Sequence, residues 1–331
     1  MNTTILALES SCDDTSASII KDGKILTNII SSQKIHTAYG GVVPEFASRQ
    51  HQKSIITVVE KAFKESGVSK KDLDAIAFTQ GPGLIGSLLV TTSFAKGLAL
   101  AMKIPLIGVD HLLAHVMANF IDDPKPVFPY LCLLVSGGHT QILKVNNYLE
   151  FEIVGQTIDD AAGEALDKSA KIIDLPYPGG PAMEKYAVQG NIHAFDFPVP
   201  KIKGLDFSFS GLKTSFLYKV RDHLKNDPDF IGKNINDLCA SFQHRVMSYL
   251  LDKLTLASDQ FGINEIALAG GVAANKYLRE KLNERATAKS WHVYIPDMEY
   301  CTDNAAMIAV AAHYKFENKQ FDELDVVNYS R

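Results

Sequence analysis

Tyr130-Leu131-Cys132-Leu133-Leu134-Val135-Ser136-Gly137-Gly138-His139-Thr140 is an apolar run that breaks off at a glycine-bearing turn, and residues 140–145 follow as a second strand-like run. The chain opens with the same arrangement. Ile5-Leu6-Ala7-Leu8 stops at Glu9-Ser10-Ser11-Cys12-Asp13-Asp14, and residues 15–20 continue as a strand. In the first half a third strand (24–30) comes after Lys21-Asp22-Gly23. A helix (44–64), a strand (75–78), a helix (84–102), a strand (105–109) and a helix opened by Asp110 complete it. The second half repeats the order: strands 130–135, 140–145 and 151–154, a helix (160–173), then helix 238–261, strand 265–269, helix 273–287, strand 292–295 and a last helix from Asp303. An irregular segment, 175–237, rich in Pro, Gly and Phe, interrupts it. Strands alternating with helices predict α/β layers, and the internal repeat predicts two duplicated lobes with a ligand cleft between them. The expected division is 1–110 for the first lobe, with 303–331 packing on it, and 111–302 for the second.

The 331 residues are 46% hydrophobic and 21% charged, which is globular composition and excludes a disordered chain. The longest unbroken apolar run, 305–312, is far short of a membrane span. With no basic leader before the first strand, the expected location is the cytoplasm, with no membrane association. Cys12, Cys132, Cys239 and Cys301 are widely spaced, which argues against a disulfide framework or a cysteine zinc site. The net charge of -5 is unlike that of a dedicated nucleic-acid binder, so any RNA contact must use a local patch or a partner.

Four turns carry possible chemistry. Gly137-Gly138 ends a strand, and its amides can face an anion; it equally suits a plain hairpin. Gly270-Gly271-Val272-Ala273-Ala274-Asn275 runs from strand to helix, where free amides receive polar ligands and Asn275 can reach a ribose or base; it also suits a tight connection. Tyr177-Pro178-Gly179-Gly180-Pro181 is a rigid turn, either ligand-facing or structural. Ser10-Ser11-Cys12-Asp13-Asp14 places two carboxylates at the position equivalent to the first turn, suiting a metal or a solvated bend. His111-Leu112-Leu113-Ala114-His115 puts two imidazoles on one helix face, able to chelate one metal, with Asp303 as the candidate third ligand or else an N-cap. Leu112 stands where a zinc peptidase of the H-E-x-x-H type needs its glutamate base, which disfavours a metallopeptidase.

In this order Glu9-Ser10-Ser11-Cys12-Asp13-Asp14-Thr15, Gly81-Pro82-Gly83-Leu84, the His111–His115 run, Val135-Ser136-Gly137-Gly138-His139-Thr140, residues 159–168, Tyr177-Pro178-Gly179-Gly180-Pro181, Phe207-Ser208-Phe209-Ser210-Gly211-Leu212-Lys213-Thr214, Gly270 to Asn275 and Cys301-Thr302-Asp303-Asn304 resemble the universal tRNA threonylcarbamoyladenosine transferase family, in its bacterial catalytic-subunit form. The resemblance implies an actin-like (RNase H-like) ATPase fold and an acyltransferase. The implied reaction moves a threonylcarbamoyl group from threonylcarbamoyl-AMP to the exocyclic amine of the adenosine beside the anticodon, in tRNAs reading codons that begin with A, releasing AMP. It implies one divalent metal, iron or alternatively zinc, on His111, His115 and Asp303. The implied substrate positions are Leu134, Val135, Ser136, Gly137, Gly138, Asp167, Gly180, Glu184 (where relatives often carry Asp) and Asn275. Asp13 is the candidate base. Implied partners are tRNA, a smaller paralogous subunit and an ATPase subunit.

The stretch 195–219 interleaves Phe197, Phe207, Phe209 and Phe216 with Lys201, Lys203 and Lys213, a pattern suited to stacking bases and pairing phosphates, or to a core with solvated lysines. The helices at 84–102 and at His111 are candidate partner faces. The rival to the transferase is a small-molecule kinase of the same fold, which needs the phosphate turns but not the histidine pair.

Overall fold

The computed structural model describes residues 3–330. The chain divides into two compact units, Met1–Lys125 with Asn147–Glu150 and Pro296–Arg331, and Pro126–Asn146 with Phe151–Ile295. The division differs from the expected one. The helix that carries the histidines follows the first unit's last strand directly and packs on the last helix, so it stays with the first unit rather than opening the second.

The first unit is built on strands β1 (Thr4–Glu9), β2 (Asp14–Lys21), β3 (Lys24–Ser32), β4 (Ala75–Gly81) and β5 (Leu106–Asp110), in the order β3-β2-β1-β4-β5. Strand β1 is antiparallel to β2 (Leu8 opposite Ala17) and parallel to β4 (Leu8 opposite Phe78). Every residue of β1 is buried, as expected of a central strand covered on both faces. Helices α1 (Pro44–Ser66) and α2 (Ile85–Met102) pack together, with Ile55, Val59 and Ala95 in the core they share with the sheet. Helix α2 is long and apolar enough to cross a membrane by length and composition. Its inner side, including Leu88, Ala95 and Ala99, is buried, whereas Ile85, Leu89 and Leu100 are exposed.

The second unit repeats the plan. Strands β6 (Tyr130–Val135), β7 (Thr140–Asn147), β8 (Glu150–Gln156), β9 (Glu265–Ala269) and β10 (His292–Tyr294) run in the order β10-β9-β6-β7-β8. Strand β6 is antiparallel to β7 and parallel to β9, matching β1 between β2 and β4. The segment 175–237 is not irregular throughout. It holds two helices, Gly179–Ala187 and Ser210–Leu224, and the long helix expected at 238 begins at Phe230 and ends at Phe261. The helix of 210–224 has no local side-chain cap. Its cap comes from fifty residues away: Asp159 Oδ1 accepts from Phe209 N at 2.7 Å, and its other oxygen accepts from the Ser210 hydroxyl at 2.7 Å.

Three of the four chemistry-bearing turns fall at the carboxyl ends of strands with a parallel neighbour, where α/β sheets bind their ligands, while Tyr177–Pro181 leads from one helix into the next. Glu9 ends β1, Asp110 ends β5 and Val135 ends β6, while Gly270 follows β9.

Candidate metal centre and nucleotide cradle

Helix α3 (His111–Met117) starts at its cap Asp110, whose Oδ1 accepts from Leu113 N at 2.8 Å. The spacing of four puts both imidazoles on one side, with ring centroids 4.6 Å apart. The last helix (Ala305–Glu317) crosses β1 and β2 and lies against α3. Asn304 caps it through Met307 N at 3.0 Å, so Asp303 is not the cap and its carboxylate turns to the histidines. Asp303 Oδ1 stands 3.4 Å from His111 Nε2 and 3.2 Å from His115 Nε2. Donor atoms of these three residues all lie within 4.8 Å of one another. Ligands about 2.1 Å from one cation, at octahedral to tetrahedral angles, sit roughly 3.0–3.4 Å apart, so the spacing suits a shared ion.

A second observation tests the fit. His115 is buried; its Nδ1 has no hydrogen-bond partner among the described residues, and its Nε2 faces the Asp303 carboxylate. An imidazole removed from water without a partner is costly, and a cation facing Nε2 removes that cost. The donor set therefore fits a divalent metal of the kind that takes imidazole and carboxylate.

Glu9, which sequence reasoning assigned no role, completes the centre. It is fully buried; its Oε2 is 3.3 Å from His111 Nδ1 and accepts from the Thr79 hydroxyl, while Oε1 accepts from Ser11 N. A carboxylate on Nδ1 leaves Nε2 as the ligand atom and strengthens it as a donor. Burial alone pushes His111 down, but Asp303 and Glu9 together hold it well above the usual imidazole value. His115 is pushed down by burial. Burial also raises Asp303, yet His111 and His115 hold it far below the carboxylate range. One buried and one half-buried carboxylate against two imidazoles thus favour a positive charge at this point. Nearby, burial together with the charges of Asp303, Asp13 and Glu9 pushes Asp14 up to about 7, and burial raises Asp13 and the Cys12 thiol. The 10–14 turn is fixed by its backbone: His51 Nε2 lies 3.0 Å from Cys12 O, and Leu84 N donates to Ser11 O at 2.8 Å.

Within the second unit the predicted substrate positions meet in a closed ring. Gly270, at φ +86°, passes so close to Val135 that a Cβ there would stand 2.5 Å from the Val135 carbonyl oxygen. A Cβ on Gly163 would stand 2.6 Å from Ser136 O. Four residues along the same helix (Ala162–Ile172), Asp167 Oδ1 accepts from Gly179 N at 2.7 Å and Gly180 N at 3.1 Å. The helix those amides begin carries Glu184, whose Oε1 accepts from Lys276 N at 2.7 Å. Lys276 opens the next helix (Lys276–Lys289), where Asn275 is the cap: Oδ1 accepts from Leu278 N at 2.9 Å, and Nδ2 donates to Gln243 Oε1 at 2.9 Å. Glu184, Asp167 and Asn275 are therefore partly committed to holding turns. Leu134 and Val135 are buried in β6. Gly137 and Gly138 are exposed, and a Cβ on either, or on Gly271, would meet nothing within 4 Å.

The aromatic half of the RNA expectation is overturned. Phe197, Phe207, Phe209 and Phe216 are buried, packed on one another and on Phe242 and Tyr249, so they are core and cannot stack on a base. Lys213 pairs with Asp160 at 2.7 Å, while Lys201 and Lys203 are exposed. The histidine helix is not a partner face either, because His111, Ala114, His115, Val116 and Met117 are buried.

Two α/β units with one strand order, resembling solved proteins across nearly the whole chain, define an actin-like ATPase fold. Full-length HypF matches with a TM-score of 0.66 at 15% identity, over 97% of this chain and 47% of that one. Component A of (R)-2-hydroxyglutaryl-CoA dehydratase from Acidaminococcus fermentans matches at 0.56 and 16% identity, over 96% and 98%. A profile of tRNA N6-adenosine threonylcarbamoyltransferases matches residues 24–310. Proteins of that name from Christiangramia forsetii (53% identical, 99% of this chain and 97% of that protein) and Phocaeicola vulgatus (55%, 100% and 99%) match throughout. The chain belongs to the tRNA N6-adenosine threonylcarbamoyltransferase family.

Proposed function

We propose that this protein transfers the threonylcarbamoyl group of threonylcarbamoyl-AMP to the exocyclic amine of the adenosine beside the anticodon, in tRNAs reading codons that begin with A. The observation that carries the reading is the 53% identity to a transferase of that name over 99% of the chain. The amine forms a bond to the carbamoyl carbon, the bond from that carbon to the phosphate oxygen breaks, AMP leaves with the electron pair, and the amine gives up one proton.

An adenine amine is a weak nucleophile, so positioning supplies much of the rate. His111, His115 and Asp303 would hold a divalent cation, iron(II) or alternatively zinc, which would supply Lewis-acid chemistry. Glu9 holds His111 in the ligating tautomer. The open amides of Gly137 and Gly138, at the end of β6 with Ser136, receive the phosphate, while Leu134 and Val135 set that turn from within the sheet. Gly271 and Asn275 seat the adenosine. Asp167 and Glu184 each spend one oxygen on a turn and offer the other to ribose or threonyl hydroxyls, with Gly180 beside them. Asp13, raised by burial, takes the amine proton.

Exposed Lys201 and Lys203 are proposed as RNA contacts. The net charge of -5 favours help from partners, and we assign a smaller paralogous subunit and an ATPase subunit that role, with the exposed Ile85, Leu89 and Leu100 of α2 as a docking face. The reading places the protein in the cytoplasm, free of membrane. The test is incubation with tRNA, threonylcarbamoyl-AMP and candidate partners, followed by nucleoside mass spectrometry. Threonylcarbamoyladenosine is expected with wild type and not with His111→Ala/His115→Ala. Equal product from that double variant contradicts the metal's role, and no product from wild type with partners contradicts the reaction.

A further inference from the structure

The segment after the last helix is pinned along the first unit by specific bonds. Asp322 N donates to Leu106 O at 2.8 Å, and Asp322 Oδ2 accepts from Gly108 N at 2.7 Å. Lys96 Nζ donates to Val326 O at 2.6 Å, and Gln80 Nε2 to Val327 O at 2.9 Å. Asn328 Nδ2 donates to Gln80 O and to Thr92 Oγ1, each at 2.8 Å. Tyr329 then crosses Gly81 so closely that a side chain on Gly81 would collide with its backbone and ring.

The Tyr329 hydroxyl donates to Asp110 Oδ2 at 2.6 Å. Asp110 is the cap of α3, and its other oxygen already accepts from Leu113 N. A carboxylate held at one oxygen can still swing about its terminal torsion, which is soft; a second bond fixes its plane. Helix α3 has seven residues, too few to be stable alone, so its cap and its packing decide where its first turn lies. That first turn begins with His111.

We propose that Tyr329 is a positioning residue for the metal centre: by gripping the second oxygen of the Asp110 cap, its hydroxyl fixes the turn from which His111 and His115 present Nε2 to the cation. The inference rests on the metal reading of His111, His115 and Asp303. The hydrogen bonds of Tyr329 go to Asp110 Oδ2 and Gln80 O, neither a ligand, so the effect passes through Asp110.

Cobalt(II) titration of the metal-stripped full chain tests it, read by the visible ligand-field bands and the dissociation constant. Tyr329→Phe keeps the ring over Gly81 and removes only the hydroxyl. It is expected to weaken cobalt binding roughly three- to tenfold, less than loss of a direct partner of a ligand, and to alter the band shape. Asn328→Ala loosens the same segment without touching Asp110 and is expected to bind cobalt as wild type does. Wild-type affinity and bands in Tyr329→Phe overturn the proposal. Equal weakening in both variants also overturns it, because the segment then acts only as an anchor. Wild-type protein giving no bands that depend on His111 and His115 instead removes the metal reading itself.

Discussion

Gly137→Ala and Gly163→Ala add the same methyl group on neighbouring sides of one turn, and the structure predicts opposite consequences. At Gly163 the new Cβ would lie 2.6 Å from Ser136 O and 2.9 Å from Gly137 Cα, both backbone atoms that cannot step aside. Overpacking of this kind costs about 1–3 kcal/mol, and in a folding unit the size of the second one each kcal/mol lowers Tm by roughly 2–4 °C. Tm should therefore fall by about 2–12 °C, with activity lost in proportion to unfolding. At Gly137 the methyl meets nothing within 4 Å and φ is not positive, so there is no strain. Removing glycine's freedom from the unfolded chain should even stabilise by about 0.4–1 kcal/mol. If the turn's amides receive the phosphate, that methyl stands in the ligand's way, and a misplacement of about 1 Å costs on the order of 100-fold. The assay pairs thermal denaturation with threonylcarbamoyl-AMP binding and single-turnover transfer. An unchanged or higher Tm with binding lost is expected for Gly137→Ala. Wild-type binding and transfer in that stably folded variant would refute the cradle.

Three other expectations follow from the same geometry. Glu9→Gln keeps the shape but removes the charge on His111 Nδ1, and metal affinity should drop by roughly tenfold or more, read by equilibrium dialysis against a chelator; unchanged affinity removes Glu9 from the centre. Burial raises the Asp159 carboxyl, but the Ser208 hydroxyl, the Phe209 amide and the Ser210 hydroxyl and amide outweigh it and hold its pKa low. A depressed acid adds stability above its unfolded pKa, near 4, and loses it as pH falls through the folded value. Asp159→Asn should therefore be less stable than wild type at neutral pH and converge with it in acid; a constant gap in Tm across that range contradicts the assignment. Lys201→Glu/Lys203→Glu should weaken tRNA binding at low salt with less effect at high salt, while unaltered affinity places the RNA contact elsewhere.

Much of the fold was legible because the apolar runs that end in polar turns are long and repeated. Strands β1 and β6 fall where Ile5-Leu6-Ala7-Leu8 and Tyr130 to Val135 predict them, and Asp110 caps its helix as its residue type suggests. Helix 210–224 escaped because its cap is Asp159, remote in sequence, so no local signal marks the start. The early part of helix 230–261 escaped because Lys233, Asn234, Asn236 and Asp237 dilute its apolar spacing. At the site, the i, i+4 histidines are visible locally, but Asp303 joins them through the packing of the last helix on α3, which no spacing encodes. Glu9 had a readable sign: a lone acid ending a strand whose other residues are all buried. Tyr329 had none, because its role depends on a path across the surface of the first unit. The phenylalanines of 195–219 misled because aromatic residues serve a core as well as a stacking surface, and only burial separates the two.

The most direct measurement is the metal content of the purified protein, by inductively coupled plasma mass spectrometry, set beside single-turnover transfer to tRNA with the proposed partner subunits present. The account predicts close to one divalent ion per chain in wild type, with ion and transfer lost together in His111→Ala/His115→Ala and in Asp303→Ala. Full transfer from a chain shown to carry no ion, or an ion retained after both histidines are replaced, would contradict it.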